Sequence, residues 1–204
     1  MTNLYRPLVR LVTMATCAAV FLGLATRLAC AETRSVETAF GQIEVEGIPT
    51  RVVTLYEGAL DAAIALGSQP VGAIITRGGT SVAEYIQPLA GDIQIVGTPG
   101  ETNMEAVIAL QPDLILASAR TNQQQYELLS AIAPTVVPDV TPYQSDSWIQ
   151  ETRLFARALG REAQGEAAIR KVRDRIAEVS KQVSANVKAC VMPPWFAGCP
   201  RARW

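Results

Sequence analysis

A chain of 204 residues, 49% hydrophobic and 18% charged, has the composition of one or two folded domains and not of a disordered segment. It contains no histidine, which removes the commonest general base and the commonest metal ligand together. A zinc or manganese site would have to rest on Asp, Glu or Cys. With 18 basic against 19 acidic residues, nothing in the charge balance favours nucleic acid as a partner.

The first ten residues carry Arg6 and Arg10, an uncharged apolar run from Leu11 to Thr26 follows, and Ala29-Cys30-Ala31 offers a small-residue cleavage site before Glu32. This is the order of parts in a secretory signal peptide, here residues 1–31. The apolar run is short for a membrane span of about 20 residues, so export with cleavage is expected over a retained anchor. Cys30 beside the cleavage point raises lipoprotein anchoring as an alternative, which Arg27 disfavours. The leader holds three of the 18 basic residues and none of the acids, so the mature chain is mildly acidic. The mature chain keeps Cys190 and Cys199 in a compartment that permits a disulfide.

Phe40–Gly47 alternates apolar and polar residues, predicting an edge strand or hairpin arm. Next come a strand in RVVTLY, a helix in ALDAAIALG closed by Gly67, and a strand in QPVGAII. VAEYIQPLAGD reads as a short helix stopped around Pro88, and IQIVG as a strand. MEAVIALQ reads as a helix opened by a capping box of Thr102 and Glu105. The strand PDLILAS, the helix NQQQYELLSAIA and the strand PTVVPDV complete the series. The order β-α-β-α-β-α-β-α-β predicts an α/β fold: a doubly wound parallel sheet over residues 49–141, with right-handed crossovers.

Ligands of open parallel sheets bind outside the carboxyl ends of the strands. Those ends supply Tyr56, Glu57, Arg77, Thr98, Glu101, Ser118, Arg120 and Thr121. Two arginines, a tyrosine and glycine-rich backbone make an anion-binding rim. Tyr56, Arg77 and Arg120 are the candidate ligand contacts; the alternative is that the loop arginines are merely solvated. The TRGGTS glycines match neither a P-loop nor a dinucleotide fingerprint, and no G-x-S-x-G elbow is present. An enzyme reading therefore lacks both nucleophile and base.

SWIQETRLFARALG begins with Ser147 and Gln150 spaced as a capping box. After an interruption at Gly160 the helical pattern resumes, with Ile169, Val172, Ile176, Val179 and Val183 on one stripe. About 25 residues of helix span close to 40 Å, more than so small a sheet needs, as in a strut leading elsewhere.

RVVTLYEGALDAAIALGSQPVGA, IVGTPGETNMEAVIALQPDLILAS and the long helix together resemble the ferric-siderophore and vitamin B12 substrate-binding proteins of ABC importers, over residues 49 to about 187. The most specific part is N-[ML]-E-x-[VI]-x-A-L-x-P-D-L-I, beginning at Asn103. The resemblance implies two α/β lobes joined by a stiff helix, with ligand held between them in the periplasm. It also implies delivery to an inner-membrane permease, with Glu105 at the position that pairs with permease arginines. The iron would be held by an anionic siderophore, so no protein cofactor or protein ligand on the metal is expected.

The implied layout is a lobe at 32–146, a linking helix at 147–188 and an aberrant tail at 189–204 where the second lobe should begin. That tail holds two of the three tryptophans, three prolines and both mature cysteines, and no acid follows Glu178. It is read as an out-of-frame ending of a truncated chain, the alternative being a genuine short tail with a Cys190–Cys199 disulfide. A chain without a second lobe has half a cleft and leaves the stripe from Ile169 to Val179 uncovered. A single lobe that docks on the permease or on another chain without binding ligand is the second functional reading.

Overall fold

The computed structural model describes residues 32–141 and 144–186; the leader and the tail at 189–204 lie outside them. The core is a five-stranded sheet in the order β5-β4-β3-β8-β9. Its strands are β3 (Val52–Thr54), β4 (Gly72–Ala73), β5 (Gln94–Ile95), β8 (Leu114–Leu116) and β9 (Thr135–Val136). Every pairing is parallel, and the central register sets Val52 beside Leu114 and Thr54 beside Leu116. VVT and LIL are fully buried because both faces of the sheet are covered. Each such apolar side chain contributes about 1.5–3 kcal/mol of burial.

The crossovers are α1 (Glu57–Ala65), α2 (Gln87–Ala90), α3 (Met104–Ala109) and α4 (Gln123–Ser130). Val52, Leu114 and Leu116 pack with Ala59 and Ala63 of α1 on one face. Val53 and Ile115 pack with Val107 of α3 and Leu129 of α4 on the other. This is the doubly wound arrangement expected, and the chain reverses direction across the sheet between β3 and β8. The predicted arm at Phe40–Gly47 is one half of a hairpin, β1 (Thr33–Thr38) with β2 (Gly41–Glu46), and Val36 and Val45 cap the α1 face. A second small hairpin, β6 (Gly97–Thr98) with β7 (Glu101–Thr102), occupies the GTPGETN loop.

Four local expectations are corrected. Pro88 lies in the first turn of α2 and starts that helix instead of stopping it, because a missing N–H is harmless there. The cap of α3 is Asn103, whose Oδ1 accepts from Ala106 N at 3.0 Å, so Thr102 and Glu105 form no capping box. The Ser147–Gln150 box is also absent. Asp146 is the N-cap residue, Ser147 Oγ donates to Gln144 O, and Gln150 Nε2 donates to Asp146 Oδ2.

The fourth correction concerns the segment read as a linking helix, 147–188. The interruption expected at Gly160 separates two helices, α5 (Ser147–Leu159) and α6 (Glu162–Asn186), of which α5 is no linker. Gly160 ends α5 in the left-handed region at φ 65°, which only a residue without Cβ adopts freely. α5 is part of the sheet's core, burying Phe155, Ala156, Ala158 and Leu159. Arg34 ties the hairpin to its end, Nε donating to Arg157 O and Nη2 to Ala158 O and Gly47 O. Only α6 has strut character. Ile169, expected on the uncovered stripe, is buried, while Val172, Ile176, Val179 and Val183 are exposed.

One backbone position departs from its ordinary chemistry. Gln111 follows α3 at φ 46°, the place usually held by glycine. Its N–H reaches Ile108 O at 2.9 Å, and Arg51 Nε donates to Leu110 O and Gln111 O. Gln111→Gly is expected to stabilise the protein by about 1 kcal/mol, because those bonds use backbone atoms and the left-handed cost disappears. A rise in the urea midpoint with an unchanged slope checks it.

Candidate functional site

β3, β4 and β8 each end in a loop at the same edge of the sheet, and the loops surround a cavity of about 620 Å³. Tyr56 follows β3, Arg77 follows β4, and Ser118 and Arg120 follow β8; all line it. The β6–β7 hairpin adds Thr98 and Glu101. Tyr56, Arg77 and Arg120, predicted from three separated stretches, therefore face one space. Glu105 is exposed on the first turn of α3 and lies outside the lining, although its neighbour Met104 belongs to it.

Each polar group has a physical reason for its place. The Glu57 carboxylate accepts from Arg77 N at 2.8 Å, which pins the start of the glycine loop and holds Arg77 at the rim. The Arg77 guanidinium itself is exposed. Arg120 N donates to Ser118 Oγ at 3.2 Å, closing the turn after β8. Tyr56 lies back over the first turn of α1. A Cβ on Gly58 would sit 2.6 Å from its ring, so glycine there permits the close approach. The ring also meets Phe155 of α5, centroids 6.4 Å apart.

Part of the wall comes from α5, through Ser147 and Glu151, and sequence reasoning missed it. Glu151, half-buried, lines the cavity. Burial pushes its carboxyl above the usual range, and the Tyr56 hydroxyl pulls it partly back. The Tyr56 hydroxyl is buried beside it. Burial, and then the nearby Glu151, raises its pKa and keeps the phenol protonated. Glu151 stands one helical turn before the buried Phe155, and a carboxylate on a packed face was the available signal.

The charged lining is thus Arg77 and Arg120 with Glu57, Glu101 and Glu151. Among the described residues no three His, Cys, Asp or Glu side chains converge as a metal site. The arrangement can hold a polar, multiply charged small molecule through hydrogen bonds and ion pairs.

A doubly wound sheet with a ligand-sized cavity at its carboxyl edge suits the binding of a small solute. The chain belongs to the periplasmic binding protein family, whose model matches residues 52–198. It is 32% identical over 163 residues to the Fe(3+)-citrate-binding protein YfmC of Bacillus subtilis (strain 168), covering 76% of this chain and 50% of YfmC. Among solved structures it resembles Staphylococcus aureus SirA complexed with staphyloferrin B, with 40% identity and a TM-score of 0.68 over 76% of this chain and 51% of SirA. It also resembles the iron uptake ABC transporter substrate-binding protein PiuA of Streptococcus pneumoniae, with 29% identity and a TM-score of 0.62. The chain spans about half the length of the curated relatives it matches. The family is one of substrate-binding transport components and not of enzymes.

Proposed function

We propose that the full-length protein captures a ferric siderophore outside the inner membrane and hands it to an ABC permease. The siderophore keeps the iron in its own donor set, and the protein grips the periphery of the complex. The supporting observation is the convergence of Tyr56, Arg77 and Arg120 on one cavity at the carboxyl edge of the sheet. Guanidinium groups on two loops suit a complex that displays carboxylates, as ferric citrate does. A second lobe in the full-length protein would close the cavity from the far side. Residues 1–31 would direct export and be removed; a mature N-terminus at Glu32, read by mass spectrometry, separates this from lipid attachment at Cys30.

Glu105 is the docking residue in this proposal. It is exposed, it lies beyond the cavity, and it projects from the first turn of a helix beside the cleft. Glu105→Ala is expected to leave ferric citrate affinity within twofold while reducing uptake of labelled iron at least tenfold. Reduced affinity would place Glu105 in the ligand site, and unchanged uptake would remove it from docking.

A further inference from the structure

The cavity carries both signs of charge, and one of its half-buried carboxylates has no cationic partner among the described residues. Glu57 is engaged by Arg77 N. Glu101 is exposed to water on the β6–β7 hairpin. Glu151 is half-buried on α5, lines the cavity and forms no ion pair with a described residue. The group beside it is the Tyr56 hydroxyl, which offsets part of the cost of its burial. A partly desolvated carboxylate is costly unless a donor answers it. Here the half-buried carboxylate has the neutral Tyr56 hydroxyl as its neighbour, and no described residue forms an ion pair with it.

We propose that Glu151, with Tyr56 beside it, is a specificity-determining ligand contact that accepts a hydrogen bond from a donor arm of the bound complex. This rests on the siderophore reading above and narrows it. The preferred ligand presents carboxylates toward Arg77 and Arg120 and an ammonium or hydroxyl group toward α5. A complex bearing carboxylates alone meets Glu151 as a like charge. The cavity then discriminates by what it repels as well as by what it binds.

A matched pair of probes tests this. The full-length protein and its Glu151→Gln variant are titrated with ferric citrate and with the ferric complex of citrate mono(2-aminoethyl)amide, which replaces one carboxylate by an ammonium arm. The glutamine keeps the shape and removes the charge. The expected result is a split in sign: the variant binds the ammonium-bearing complex at least tenfold more weakly, and ferric citrate severalfold more tightly. Equal changes for both probes, or none for either, overturn the role of Glu151 alone. Failure of the unsubstituted protein to bind either probe overturns the siderophore reading and this inference with it.

Discussion

Phe155→Ala is expected to lower the unfolding free energy by about 3–5 kcal/mol, a large part of the roughly 5–15 kcal/mol that holds a domain together. The ring is fully buried. It belongs to one core cluster with Val36 and Val45 of the hairpin, Leu114 and Leu116 of the sheet, and Ala63 of α1. These neighbours are held by three different backbone elements, so they cannot collapse together into the space a benzyl group leaves, and the full cavity cost stands. Tyr56 also loses its support from below, so ligand affinity falls along with stability. A urea titration with unchanged slope gives the number. A loss below about 1 kcal/mol would mean that α5 is a peripheral connector, as the reading of 147–188 as one linking helix implied. α5 would then belong outside the lobe.

The contrast between α5 and the sheet shows what the sequence made legible. VVT and LIL stand out because two-sided burial turns a strand into a short β-branched or leucine-rich run. The glycine loops after them mark the carboxyl edge, so Tyr56, Arg77 and Arg120 could be assigned to one site by topology alone. β1 was hidden because TRSVET buries only Val36 and Thr38. The β6–β7 hairpin has two-residue strands, too short to show any period. At α3, Thr102 and Asn103 are both good caps; β7 runs through Thr102, so the helix starts one residue later. Glu151 lay on a face that could be read as packed, but nothing in the sequence brought that face to the cavity. The βα repeat predicts the loops that it generates itself, whereas α5 returns to the cleft from outside the repeat, through contacts of high sequence separation.

The double variant Arg77→Ala, Arg120→Ala is expected to abolish measurable binding of ferric citrate by the full-length protein. Each guanidinium that meets a carboxylate is worth about 2 kcal/mol on truncation, roughly thirtyfold in affinity. The loops after β4 and β8 are separately anchored, by Glu57 and by Ser118. The two losses should therefore nearly add, to about a thousandfold. The effect goes beyond lost contacts. Without the arginines the charged lining is Glu57, Glu101 and Glu151, which leaves only like charges to meet an anion. Two controls separate this from damage to the fold. The urea midpoint should move little, because Arg77 is exposed and its anchoring bond uses the backbone N. Lysine at both positions should restore only part of the affinity, since an ammonium supplies charge without the paired donors of a guanidinium. Full affinity in the double alanine variant would mean that the anion is held elsewhere.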